Sequence, residues 1–532
     1  MKKFNLLDCT LRDGGYYNNW NFDKKTIQKY LNAVNSTNIK FVELGFRFND
    51  HIKNKGLTAY TEDSLLKKLK IPDNINIGIM INASDFIVNG NINIKNLKVI
   101  LPMNISKKIK FIRIACHHAE VLKLSNFFKY LNNFKIKIFV NIMQISEIKK
   151  RQLFEITNFL KTKNVNVIYL ADSLGSLKKS KLKEILNFLK NNWKKEIGIH
   201  AHDNLNLALK NSLFAMNNGV SWIDSTITGM GRGPGNLKTE EILKYSILYK
   251  KTEKFKDVLK TFLKLKRFYK WGSNIYYKIA AKKKIHPTYI QKILNDDRYK
   301  KSEYKKIIYE LGASDTSKFN PYKLINSAYF ISNKPKGTFV PTNIFKKKNI
   351  LILGSGKNLP INTKKIQKII KLKKLFVIAL NTYQSLNEKF INLRVSCHPF
   401  RIMSDMKKYQ NLKTKIVFPY SMMGKNLKKK LQLKKNKYYD YGLQLNSKQK
   451  FVIKKNFCSL PFPLAIGYAF SLAVAGKAKS IKVAGFDEYN KSDNNQDETD
   501  QIFKHFSSKY FKNKIISLTK TKFKTLKYKT YE

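Results

Sequence analysis

The feature that most constrains this chain is a set of eight short β-rich segments, separated in its first half by stretches of helical periodicity. The segments are residues 5–11, 41–47, 75–82, 111–116, 137–143, 167–172, 197–202 and 222–228, with helical patterns at 24–35, 146–162, 178–191 and 204–218. Strands alternating with helices imply a parallel sheet, because a parallel neighbour needs a long crossover. Eight such units in ~250 residues is the size of a (β/α)8 TIM barrel. An open doubly wound sheet is the competing arrangement. Polar motifs at the C-terminal ends of segments one, seven and eight decide against it, since only a closed barrel gathers those three ends around one mouth.

A chain of 532 residues is too long for one core. From 246 to 340 the pattern becomes helical, basic and aromatic, with Phe262, Phe268, Tyr269, Trp271, Tyr276 and Tyr277. Residues 333–337, Asn-Lys-Pro-Lys-Gly, form a turn-rich break. A second α/β pattern follows, with strands expected at 350–353, 375–380, 393–397, 415–419 and 480–484, a small-residue helix at 463–475, and an aperiodic lysine-rich tail after Ile515. The expected fold class is therefore α/β: a TIM barrel over 1–245, a helical extension and linker over 246–340, and a Rossmann-like domain over 341–532.

The formal charge of +67 would suit a polyanionic partner. The excess is nearly all lysine and is spread over every expected helix, whereas arginine is the residue that reads phosphates and bases bidentately. Solvated lysine faces are the reading, and no nucleic acid is expected. No apolar run reaches the ~18 residues of a membrane span, and the first residues lack the apolar core of a signal peptide. The four cysteines, Cys9, Cys116, Cys397 and Cys458, form no CxxC pair. Together these features predict reduced thiols and a cytoplasmic protein.

Three motifs carry chemistry. Segment one ends in Asp8-Cys9-Thr10-Leu11-Arg12-Asp13-Gly14-Gly15, which puts a cation and a carboxylate at the mouth. Segment seven ends in His200-Ala201-His202-Asp203-Asn204, and an H-x-H on a strand turns both imidazoles to one face. Two imidazoles and a carboxylate suit a divalent metal with positions left open. After segment eight comes Gly229-Met230-Gly231-Arg232-Gly233-Pro234-Gly235-Asn236, whose glycines permit close approach and whose Asn236 amide oxygen could complete the coordination. Each motif alone has a plainer reading as a core pair, a turn or a connector; their joint placement favours the metal.

Together the DxTLRDG opening, the HxHDN strand and the GxGxxxGN loop resemble the HMG-CoA lyase-like metallolyase superfamily over residues 3–250, nearest to 4-hydroxy-2-oxovalerate aldolase-like proteins. The resemblance implies that Asp13, His200 and His202 hold Mn²⁺, Mg²⁺ or Co²⁺, with Asn236 as a further or water-mediated ligand, and that Arg12 stabilises an enolate oxygen. The implied activity is an aldolase or lyase working beside the carbonyl of a small 2-oxo acid such as pyruvate. A Claisen-type acyl-CoA/2-oxo acid synthase and a binding protein without turnover are the alternatives.

Tyr16 stands where these aldolases carry a catalytic histidine, and Gly15-Tyr16 where the synthases carry Glu-Gln. Tyr16 and Tyr17 are thus candidate proton donors, with His117 and His118 as alternative bases. Glu43 ends segment two and would orient Arg12 or a ligand, or simply form an ion pair at the mouth. Asp172 ends segment six and would orient a histidine or the substrate, or cap the next helix.

In the last domain, Leu351-Ile352-Leu353-Gly354-Ser355-Gly356 suits a phosphate over a helix N-terminus, so Gly354 and Gly356 are candidate nucleotide-binding residues, although Leu359 replaces a third glycine. With Ala379-Leu380-Asn381, Ser396-Cys397-His398-Pro399 and Ala484-Gly485-Phe486-Asp487-Glu488-Tyr489, the unit loosely resembles nucleotide-sugar-handling domains of surface-polysaccharide pathways, such as bacterial sialyltransferases. Asp487 or Glu488 would bind a ribose or a metal, or be plain loop carboxylates. The partners this implies are a 2-oxo acid, a nucleotide or nucleotide sugar, and further copies of the chain.

Overall fold

The fold is that of a computed structural model, which describes residues 4–529 except 50–54, 89–90, 247, 297–298, 300, 314, 330–334, 384–385, 446–450, 489–494 and 512–514. Residues 333–334 of the expected turn and Tyr489 of the last motif lie outside the described residues. The chain divides into two compact units, one of Met1–Ile308 with Asp315–Phe319 and one of Tyr309–Ser314 with Asn320–Glu532.

In the first unit eight strands close into a barrel: β1 (Asn5–Asp8), β2 (Phe41–Phe46), β3 (Asn76–Asn82), β4 (Ile109–Cys116), β5 (Lys137–Met143), β6 (Val167–Ala171), β7 (Glu196–His200) and β8 (Trp222–Ser225). Each pairs in parallel with its sequence neighbours, and β8 pairs with β1. The helices between them are amphipathic. In α2 (Lys24–Ser36), Ile27, Tyr30, Leu31 and Val34 recur at helical spacing and are buried, and Asp23 caps the first turn through the Thr26 amide.

Two segments end three residues earlier than their sequence suggests. β1 stops at Asp8 because its carboxylate takes the Thr10 amide at 2.9 Å and the Thr10 hydroxyl at 2.6 Å, which turns the chain into α1 (Thr10–Asn18). Arg12 and Asp13 therefore sit in a helical turn rather than at a strand end. β8 stops at Ser225, and a turn of 3₁₀ helix follows at Ile227–Gly229.

Inside the barrel the period of two stacks two layers. Phe41, Phe111, Phe139, Tyr169 and Trp222 form an aromatic floor, with ring centroids 4.5 Å apart for Phe41–Trp222 and 5.1 Å for Phe111–Phe139. Two residues further along the same strands stand Glu43, Arg113, Asn141 and Asp224, all buried.

The helices after the barrel pack on it. Phe262, on Glu253–Tyr269, meets Phe22 and Tyr30 at 6.4 Å. Four residues after the barrel reach the loops at the mouth: Trp271 Nε1 donates to the Thr228 carbonyl (3.1 Å), Ser273 Oγ to the Asn204 carbonyl (2.9 Å) and Gln291 Nε2 to the Tyr16 carbonyl (3.2 Å), while the Ser317 carbonyl accepts from Gln144 Nε2 (2.7 Å).

The second unit holds an eight-stranded parallel sheet in the order 438–440, 416–418, 393–395, 376–380, 349–353, 480–484, 516–517 and 527–528. Five of these strands match the expected set. The strand Tyr438–Asp440, the small three-stranded sheet of Gly442–Leu445, Val452–Ile453 and Phe457–Leu460, and the two edge strands in the lysine-rich tail do not. Ala465–Ala475 is the expected small-residue helix, and Ile466–Ala473 are buried throughout. Among the described residues no helix is long and apolar enough to cross a membrane.

Candidate active site

Three expected ligands converge. A carboxylate oxygen of Asp13 and one ring nitrogen each of His200 and His202 lie within 4.8 Å of one another, all in buried residues. α1 delivers Asp13, the end of β7 delivers His200, and His202 is held by an isolated bridge to Asn236. The glycine loop makes that bridge feasible, since a Cβ on Gly231 would lie 2.6 Å from the Asn236 amide nitrogen and one on Gly235 would lie 1.9 Å from the Gly229 carbonyl. Asn236 donates its amide to Asp13, while its side-chain oxygen and the Nδ1 of His202 are buried without a hydrogen-bond partner. Two orphaned acceptors next to a carboxylate and a second imidazole are what a divalent cation would satisfy, so the residues fit the implied metal.

Arg12 is oriented from two sides. Its Nε donates to Glu43 at 2.5 Å and its Nη1 to Asp13 at 2.8 Å, leaving Nη2 buried and unpartnered beside the ligand set. Glu43 also receives Arg113 Nη1 at 3.3 Å, and Arg113 Nη2 reaches Asp224 at 2.7 Å. Asp224 in turn holds His200 Nδ1 at 2.8 Å, and His200 Nε2 lies 3.3 Å from Asp13. Six side chains thus close a ring. Burial alone would raise the Asp13 carboxyl, but Arg12, and then His200, hold it well below the carboxylate range. Burial and the neighbouring His200 push His202 well below the usual imidazole range, so it stays a neutral donor of electron pairs. Cys9 also approaches His200 and Asp224, but burial drives its thiol well up and Asp224 is taken by Arg113.

The remaining expected residues separate. Tyr16 lies in the mouth, its ring 5.0 Å from Trp20 and 6.3 Å from Phe46, with the Arg232 guanidinium carbon 5.2 Å from its centroid. Burial raises its phenol, against the pull of Arg232, so it stays protonated. His118 is bound to Glu155 at 2.8 Å. His117 is depressed by burial, with Lys318 and Arg232 adding to the shift and Glu120 opposing it. Asp172 does not orient a histidine: its oxygens take the Ser176 amide at 3.0 Å and the Leu177 amide at 3.2 Å, shaping the loop after β6. Tyr277 is buried, and Tyr17 donates to the Gly233 carbonyl at 2.5 Å, so both hold the glycine loop.

Arg113, Asn141, Asp224 and Arg232 were not expected as parts of the site. In the second unit, Gly354 and Gly356 do line a cavity, but the Gly356 amide donates to Gly485 and the Asn358 amide to Asp487 Oδ2 at 2.7 Å. A Cβ on Gly356 would meet the Asp487 carboxyl group at 2.6 Å. These glycines let a carboxylate close over the turn.

The HMGL-like family pattern matches residues 3–273. A 4-hydroxy-2-oxovalerate aldolase of Brevibacillus brevis is 24% identical over 241 residues, 45% of this chain and 68% of that protein. An oxaloacetate decarboxylase of Mycobacterium tuberculosis is 21% identical over 238 residues, 44% of this chain and 67% of that protein. The solved N-terminal domain of a putative aldolase from Bacteroides vulgatus is 29% identical and covers 56% of this chain and 98% of its own, with a TM-score of 0.49.

Proposed function

The chain belongs to the HMGL-like family, and its relatives support lyase chemistry on a 2-oxo acid; from that premise we propose a divalent-metal aldolase that cleaves or forms the bond beside the carbonyl of a pyruvate-type unit. A cation held by Asp13, His200 and His202, with Asn236 adjacent, would supply the Lewis acid that favours the enolate. Arg12 supplies a fixed positive charge, its unpartnered Nη2 aimed where the enolate oxygen develops. Glu43 holds that guanidinium in place. Tyr16 donates the proton, its phenol kept protonated by burial, and His117 is the histidine suited to accept one. Arg232, poised over Tyr16, takes the substrate carboxylate.

One observation carries this reading: the buried convergence of Asp13, His200 and His202 beside a guanidinium with one free arm. The test is to load the protein with Mn²⁺ and follow pyruvate release from 4-hydroxy-2-oxo acids. Turnover that disappears in His202→Ala supports it. No turnover with any 2-oxo acid sinks it, and release of coenzyme A from an acyl-CoA would instead establish the synthase.

The same proposal extends to the whole chain. The barrel over 1–245, the helices to 340 and the unit from 341 act as modules, the last serving a nucleotide or nucleotide sugar, in the cytoplasm and as a homo-oligomer. The fusion suits synthesis of an unusual acyl or sugar unit for a surface glycan.

A further inference from the structure

The helical extension brings to the mouth of the barrel one side chain that has no part in the chemistry described so far. Its helix Pro287–Leu294 is docked on the two segments that carry the site. Gln291 accepts the Gly233 amide at 3.3 Å and donates to the Tyr16 carbonyl at 3.2 Å, so a single amide ties the glycine loop to α1. One turn earlier, Pro287 lies so close to Gly233 that a Cβ on that glycine would come within 2.7 Å of the proline Cβ. Residues four apart share a helix face, and this face is the one turned toward the site. His286, the residue before Pro287, is the N-cap of the same helix.

His286 is half-buried. The groups whose charges act on its ring belong to three different parts of the rim: Arg232 in the glycine loop, His202 after β7 and His117 after β4, with no carboxylate among them. A ring within reach of all three stands over the mouth. Its chemistry is set by the cap. Nδ1 accepts the Thr288 amide at 3.4 Å and so carries no proton, which in a neutral imidazole leaves the proton on Nε2. Burial, and then Arg232, hold the ring well below the usual imidazole range, so it is neutral. A neutral imidazole with its tautomer fixed in this way polarises a carbonyl without giving up its proton.

We propose that His286 is a further catalytic residue of the barrel, its Nε2–H donating to the oxygen on the far carbon of the bond that is broken or made. That oxygen is the hydroxyl of the acid being cleaved, and the carbonyl of the aldehyde in the reverse direction. The inference rests on the aldolase reading. In cleavage the hydroxyl proton passes to His117, the carbon–carbon electron pair becomes the enolate, and the carbon–oxygen bond becomes the aldehyde carbonyl. Tyr16 then protonates the enolate carbon. His286 keeps its proton throughout and stabilises the charge that develops on the far oxygen, as Arg12 does for the enolate oxygen at the other end.

Two rates of the Mn²⁺-loaded full chain test it: cleavage of 4-hydroxy-2-oxo acids, and exchange of pyruvate methyl protons for deuterium followed by proton NMR. Exchange passes through the enolate but needs no second carbonyl. His286→Ser keeps a good capping oxygen for the Thr288 amide and removes the ring N–H. It should lower the kcat of cleavage ~10²-fold while the exchange rate and the melting temperature stay as in the parent, and His286→Asn, which caps as well, should behave the same way. Undiminished cleavage, or an equal loss of both rates, overturns the role of His286 while the aldolase reading stands. Exchange by the parent without cleavage of any such acid overturns it too. If the parent neither exchanges pyruvate nor cleaves a 2-oxo acid, the aldolase reading falls and takes this role with it.

Discussion

The imidazole of His200 donates its Nδ1 proton to Asp224 Oδ2 across 2.8 Å. The direction is fixed because Asp224, although buried, is held below its ordinary value by Arg113 and then by His200 and so is a carboxylate. Although burial opposes it, Asp13 and Asp224 raise the imidazole, so Nε2, facing Asp13, is the nitrogen on which a cation would take the place of a proton. A carboxylate behind a ligating histidine sets the tautomer and raises ligand basicity. Asp224→Asn should therefore weaken Mn²⁺ binding ~10–100-fold, read by competition with a fluorescent chelator. Unchanged affinity would mean that His200 is not a ligand.

Arg12→Lys should lower kcat ~10²–10³-fold and move KM little. A single ammonium cannot reach Glu43 and Asp13 together and still present a free donor. A change confined to KM would make Arg12 a substrate-binding residue only.

Arg113 is wholly buried and joins Glu43 to Asp224. Arg113→Met leaves Glu43 with Arg12 alone and Asp224 with His200 alone, and removing one partner of a buried ion pair costs about 3–5 kcal/mol. Urea unfolding should show that loss. A cost below 1 kcal/mol would mean the ring of ion pairs does not hold the upper layer of the barrel.

Asp172 gives a pH dependence. Burial, opposed by the Leu177 and Ser176 amides, raises its carboxyl to about 8. Between the ordinary carboxyl value of about 4 and that figure, the native chain keeps a proton that the unfolded chain has released. Stability from this group is thus complete below about pH 4 and declines as pH rises toward 8. Asp172→Asn cannot titrate, so melting temperatures of variant and parent should diverge across that window. Parallel curves would show that Asp172 is ionised in the native protein.

The barrel and the convergence of Asp13, His200 and His202 at its mouth were legible because each rests on a local pattern: alternation of strand and helix, and short motifs at strand ends. The polar layer beneath them was legible in principle. Phe41-Val42-Glu43, Phe111-Ile112-Arg113, Phe139-Val140-Asn141 and Trp222-Ile223-Asp224 all read aromatic, apolar, polar, and period two stacks them as a floor and a polar layer. A charge alone inside an apolar strand was the signal for Arg113 and Asp224. Arg232 gave no such sign, since a loop arginine among glycines reads as solvated. Asp172 stayed open between two readings because a carboxylate after a strand looks the same whether it faces a ligand or the amides of the loop that follows. The tail strands 516–517 and 527–528 are two residues each, too short for any periodicity.

The aromatic floor has a kinetic corollary. With Phe41, Phe111, Phe139, Tyr169 and Trp222 filling the lower barrel, traffic is confined to a single doorway at the mouth. A molecule lodged against Asp13 and Arg12 sits behind whatever occupies the space near Tyr16 and Arg232. On the proposed chemistry the enolate-forming reactant would enter first and depart last, which makes turnover sequential and ordered, with the small 2-oxo acid leaving last in the cleavage direction.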